Sequence, residues 1–130
     1  MIQLDRSSNE IASIDTEQTY HGVDVCPQSG RVAVGCSGTV RVWSSDEHDA
    51  FNQSFAFDVE QPVFGFLSNG DLAIACGARI EIYRAHRNYG LLHSFVSDIA
   101  DPIKILRLRN SQQFALIGRG GKAIALQFDS

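Results

Sequence analysis

Few stretches of this sequence gather residue types that do chemistry. Gly118-Arg-Gly-Gly-Lys122 has the glycines and the lysine of a phosphate cradle. A phosphate loop, however, needs the spacing GxxxxGK and a helix after it, so that backbone N–H groups and the helix dipole meet the anion. Here the strand pattern Ala123-Ile-Ala-Leu126 follows, so the segment reads as a turn between strands that leaves Arg119 and Lys122 at one end. Ser45-Asp-Glu-His-Asp49 sets three carboxylates around His48 without the alternating spacing of a calcium loop, and reads as a solvated connection. His86 and His93 flank Arg87-Asn-Tyr-Gly90; a metal pair is the sharper reading, loop residues the simpler one.

The three cysteines, Cys26, Cys36 and Cys76, form no CxxC pair, which argues against a zinc site or a disulfide framework. Cys26 and Cys36 lie in apolar segments, where a thiol is small core filler and lacks the electropositive setting of a nucleophile. Asp24 and Lys104 interrupt otherwise apolar segments and either line a wet channel or mark local irregularity. No acid–base pair with a readable geometry emerges, so no enzymatic activity, cofactor or metal is expected.

The elements that would position these residues repeat. Arg31-Val-Ala-Val-Gly-Cys-Ser-Gly-Thr-Val-Arg-Val-Trp43 is written again, forty residues on, as Asp71-Leu-Ala-Ile-Ala-Cys-Gly-Ala-Arg-Ile-Glu-Ile-Tyr83. A looser third copy is Gln113-Phe-Ala-Leu-Ile-Gly-Arg-Gly-Gly-Lys-Ala-Ile-Ala-Leu126. Self-similarity at this period marks repeat architectures. Gly22–Cys26, Pro62–Phe66 and Pro102–Leu106 are candidate first strands, each followed by turn chemistry such as Asn69-Gly70. Second strands are expected at 31–36, 71–76 and 113–118, third strands at 39–44, 79–84 and 122–128. Fourth strands fit Asn52–Phe57 and Leu91–Phe95, and Ile11 and Ile14 suggest a leading strand at 10–15. Nothing holds a helical period, so the chain reads as all-β.

Four short strands per forty residues suit the blade of a β-propeller better than a barrel hairpin. The second strands set Ala33 and Gly35, then Ala73 and Ala75, on one face, with Val32, Val34, Leu72 and Ile74 on the other. A sheet pressed between two neighbours needs both faces apolar, and small residues where the neighbour comes close.

The 130 residues suit one ordinary domain, and 44% hydrophobic against 20% charged residues is a globular balance. No apolar run approaches a membrane span. Met1-Ile-Gln-Leu-Asp-Arg6 has neither the basic start nor the apolar middle of a secretory signal, and a cytoplasmic setting is the expectation. The net charge of −4 divides into −7 over residues 1–100 and +3 over residues 101–130. An acidic whole argues against nucleic acid as the main partner.

The segment from His21 through Trp43 resembles a WD40 repeat, with His21 at the loop histidine that opens the repeat and Trp43 at the tryptophan that closes its third strand. The resemblance covers residues 9–128 and departs from the family pattern at Ala33, Ser37 and Ser44; Gln61 and Tyr83, then Asp101 and Leu126, stand at the later His and Trp positions. It implies a WD40-like β-propeller segment of three four-stranded antiparallel blades, at about 21–60, 61–100 and 101–128, with the strand at 10–15 completing the last. Three blades do not close a ring, so either two copies pair head-to-tail into six blades or the chain is part of a longer propeller. The implied function is a non-catalytic scaffold or adaptor that binds other proteins. Its docking residues would be His21, Ser37, Glu60, Gln61, Arg79, Asp101, Arg119 and Lys122, with Arg79, Arg119 and Lys122 foremost. A lectin-like oligomer binding a small ligand or sugar is the alternative, with Leu126 in place of a third aromatic counting against it.

Overall fold

A computed structural model of the chain describes residues 20–44, 51–57, 61–85, 88–110 and 112–128. The expected leading strand at 10–15, Glu60, the Ser45–Asp49 connection and His86 lie outside them. The described residues form eleven strands and no α-helix. The first sheet contains β1 (Tyr20–Val25), β2 (Val32–Cys36), β3 (Thr39–Trp43) and β4 (Asn52–Ala56). The second contains β5 (Val63–Phe66), β6 (Leu72–Cys76), β7 (Arg79–Arg84) and β8 (Gly90–Val96). The third contains β9 (Pro102–Arg107), β10 (Gln113–Gly118) and β11 (Ala123–Gln127). In each sheet, neighbours in sequence are antiparallel neighbours in space.

Turn chemistry sets these boundaries. Gly38 and Gly77 take positive φ, at 69° and 61°, in the tight turns between second and third strands, where side chains with a Cβ are strained. Asn69 folds its side chain back onto the Asp71 N–H (3.0 Å), an Asx turn that delivers the chain into β6. The ladder registers make the repeat structural. Trp43, Tyr83 and Leu126 stand opposite Val32, Leu72 and Phe114, one place in three sheets.

One detail departs from the forty-residue spacing. Val25, Phe66 and Arg107 stand opposite Val32, Leu72 and Phe114, so the first strands run forty-one residues apart. The turn from Cys26 to Arg31 is one residue longer than that from Leu67 to Asp71, and absorbs the difference. Cys26 therefore lies outside β1, buried in the turn beyond it.

The sheets stack, and the middle one is covered on both sides. Ala33, Val40 and Val42 of the first sheet share a core with Phe66, Leu72, Ile74 and Cys76 of the second. Ala73, Ala75, Ile80 and Ile82, on the second sheet's other face, share a core with Ile105, Phe114 and Leu116 of the third. All five residues of β6 are buried, as are all five of β2. Small residues meet large ones at both joints, and each buried Leu, Ile or Phe contributes about 1.5–3 kcal/mol. The first strands line up in series, β5 lying against both β1 and β9.

Candidate binding surface

Antiparallel order brings the start of each first strand to the same end of its sheet as the turn between the second and third strands. The registers fix this: Tyr20 faces Cys36, Val63 faces Ala75 and Pro102 faces Gly118. The fourth strands return there too, with the Phe57 N–H donating to the Gly38 carbonyl (2.7 Å) and the Ser97 N–H to that of Ala78 (2.8 Å). Seven of the eight residues anticipated as docking residues therefore sit at this end. Ser37, Gln61, Arg79, Asp101, Arg119 and Lys122 are exposed there.

Arg119 and Lys122 flank the turn between β10 and β11, where Gly120 and Gly121 hold φ of 93° and 89°. The Gly118 N–H bonds the Lys122 carbonyl (2.8 Å) and the Arg119 N–H bonds that of Asp101 (2.8 Å). The backbone donors that lead into the turn are thus occupied, and a strand follows it, as expected of a connection rather than of a phosphate loop. Arg79 lies 3.8 Å from Glu81, which also accepts the Tyr83 hydroxyl (2.8 Å). Burial, and then that bond to a carboxylate, push the Tyr83 hydroxyl pKa well above its ordinary value.

His21 does a different job. It occupies a bulge in β1, and its Nε2 lies 3.1 Å from the Pro62 carbonyl. A carbonyl only accepts, so the ring donates from Nε2 and ties the first sheet to the second. Its ring also meets Phe64 edge-on at 6.5 Å.

The first strands together wall an open groove of about 400 Å³. His21, Phe64, Ile103 and Lys104 line it, and Asp24 and Arg107 close part of it. Asp24 accepts from the Phe66 N–H (2.7 Å) and from two nitrogens of Arg107 (3.0 and 3.3 Å), while Arg107 also donates to the Phe66 carbonyl (3.0 Å). One carboxylate and one guanidinium thus tie β1, β5 and β9. The Asp24 interruption noted in the sequence serves this tie. Lys104 is exposed.

Three further features have little signature in the sequence. Asp71, only 2% exposed, accepts from the Ala85 N–H (3.0 Å) and Asn69 Nδ2 (3.0 Å) and lies 3.8 Å from Arg84, fastening the β5–β6 turn to the end of β7. Arg31 holds its guanidinium 4.0 Å over the Phe51 ring and 5.9 Å from that of Tyr89. Tyr89 is buried at φ 58°, next to Asn88 at φ 53°, and burial raises its hydroxyl pKa. The three cysteines are buried thiols.

Among the described residues no group of three or more His, Cys, Asp or Glu gathers as a metal site would need, and no helix is long and apolar enough to cross a membrane. Compared with known proteins, the chain matches no protein-family model and no curated protein.

Proposed function

We propose that the chain is a WD40-like β-propeller segment working as a non-catalytic scaffold, and that it binds another protein through the sheet end that carries Arg79, Asp101, Arg119 and Lys122. One observation carries this reading. The second and third sheets deliver exposed charged side chains, and the first the exposed Ser37, on short connections to equivalent ends of a packed framework. Loops held by a stiff framework suit recognition, because little ordering entropy is lost on binding. The propeller reading is supported by the serial contact of β1, β5 and β9 and by the shared ladder position of Trp43, Tyr83 and Leu126.

The test is a triple substitution in the full chain, Arg79→Glu, Arg119→Glu and Lys122→Glu, followed by quantitative comparison of captured proteins. Arginines at an interface centre are frequent hot spots, so a partner held here loses about tenfold or more in capture, with the thermal melt unchanged. A capture profile identical to that of the unsubstituted chain removes this surface.

A further inference from the structure

The groove walled by the three first strands is floored by main-chain groups. In an antiparallel pair, successive residues turn their N–H and C=O groups alternately toward the partner strand and away from it. The Leu67 N–H bonds the Asp71 carbonyl (2.7 Å), so Phe66 beside it turns its own groups away from β6. The Phe66 N–H accordingly meets Asp24 and its carbonyl meets Arg107, while the Pro62 carbonyl meets His21. Phe64 lies midway between Pro62 and Phe66 and has the same phase in the ladder. Its N–H and C=O therefore open on the groove, and no hydrogen bond takes up either among the described residues. The capped groups on either side show what completes this edge: an oxygen for an N–H, a donor for a carbonyl.

Charge and size narrow the occupant. Asp24 and Arg107 neutralise each other across 3.0 Å, whereas Lys104 is exposed and has no carboxylate against it among the described residues. The lining thus carries an excess positive charge, which favours an anion. The Phe64 ring and Ile103, 51% exposed, add an apolar wall. Along β5 the edge is closed on both sides of Phe64, by His21 at Pro62 and by the Asp24–Arg107 pair at Phe66. An extended peptide has no path through, and a volume of about 400 Å³ lies at the small end of the range for ligand sites.

We propose that the groove binds a free N-acylated amino acid. The amide N–H of the ligand donates to the Phe64 carbonyl, and its carboxylate accepts from the Phe64 N–H and from Lys104. Its side chain lies on the Phe64 ring and Ile103. Such a molecule carries a donor, a negative charge and an apolar group on neighbouring atoms, the complement of this lining. A neutral sugar leaves Lys104 unanswered, and a plain aliphatic carboxylate leaves the Phe64 carbonyl to water. The site goes beyond partner binding and uses none of Arg79, Asp101, Arg119 and Lys122, so its failure leaves the capture experiment above untouched.

Titration of N-acetyl-leucine into the isotope-labelled full chain, followed through the backbone amide resonances, tests it. Shifts at Phe64, Ile103 and Lys104 are expected to saturate with a Kd of about 1 mM, as suits a ligand this small. N-acetyl-leucinamide lacks the charge and isocaproate lacks the N–H; each is expected to bind about threefold or more weaker. Lys104→Glu, at an exposed position, is expected to abolish the shifts with the thermal melt unchanged. A longer peptide ending in leucine is expected to leave the groove resonances in place. Absence of shifts in the groove, equal affinity for either truncated ligand, undiminished binding by Lys104→Glu, or tighter binding of the longer peptide overturns the proposal.

Discussion

β6 of the middle sheet and β10 of the third hold the same place in their repeats, yet Ala73 and Ala75 are buried to within 1% while Ala115 and Ile117 are only half-buried. Their large faces do not differ in this way: Leu72 and Ile74, like Phe114 and Leu116, are 0% exposed. The difference lies in the number of neighbours. The middle sheet has one on each side, and the third sheet, among the described residues, has one. Between these two sheets burial follows position in the stack, as a nearest-neighbour account of repeat proteins requires, whereas β2 of the first sheet, which shares a core with the second sheet alone, is also buried at all five residues. Residue choice follows suit: Ile80 and Ile82 of β7 are replaced in β11 by Ala123 and Ala125, opposite Ile117 and Ala115.

The largest effects are expected in the middle sheet. Ile74→Ala opens a cavity between the first and second sheets and costs about 2–5 kcal/mol in urea unfolding, against about 1 kcal/mol or less for Ile117→Ala in the third. Equal costs would break the comparison. Asp71→Ala strands the Ala85 N–H and Asn69 Nδ2 and leaves Arg84 without its carboxylate, for a loss of about 3 kcal/mol, whereas Asp71→Asn restores an acceptor and recovers part of it.

Overpacking sharpens the contrast from the other side. Ala75→Leu forces bulk into a closed joint and costs about 1–3 kcal/mol, while Ala125→Leu, at an exposed position, stays within about 0.5 kcal/mol. The tie across β1, β5 and β9 is partly solvated, so Asp24→Ala is expected to cost only about 1–2 kcal/mol, mostly through the Phe66 N–H it leaves unpaired.

The smallest effect at neutral pH is that of the tyrosines. Tyr83 and Tyr89 both have raised pKa values in the folded chain, with burial the main cause. Their neutral forms therefore favour folding fully below the unfolded value of about 10, and the benefit is lost as pH rises beyond it, because the unfolded chain gives up those protons first. Phenolate absorbance should lag in the folded chain and appear with unfolding, and Tyr83→Phe should flatten the alkaline fall in stability. Free titration of both near pH 10 in the folded chain would contradict their burial.

Much of this arrangement was legible because turn residues and strand patterns are local. Asn69-Gly70, Ser37-Gly38 and the alternation in Val32–Val34 and Leu72–Ile74 announce strands and turns at their observed places. The small-against-large faces of the second strands announced the stacking. What stayed hidden depends on distant partners. Arg107 meets Asp24 across 83 residues, and no spacing signals that pairing. The one-residue offset of the first strands hides in a turn whose composition resembles its counterparts. His21 was read among the docking residues, and its tie to the second sheet stayed hidden because its acceptor, the Pro62 carbonyl, is backbone and leaves no trace in residue types. The left-handed pair Asn88 and Tyr89 is equally silent, since a buried tyrosine at positive φ is an unusual choice.

Site-resolved hydrogen exchange tests the dependence of each sheet on its neighbours most directly. The amides of β6 at Leu72–Cys76 are expected to exchange slowest in the molecule, at a free energy close to that of global unfolding, and those of β11 at Ala123–Gln127 orders of magnitude faster. Equal protection across the three sheets, or the slowest exchange in β11, would contradict it.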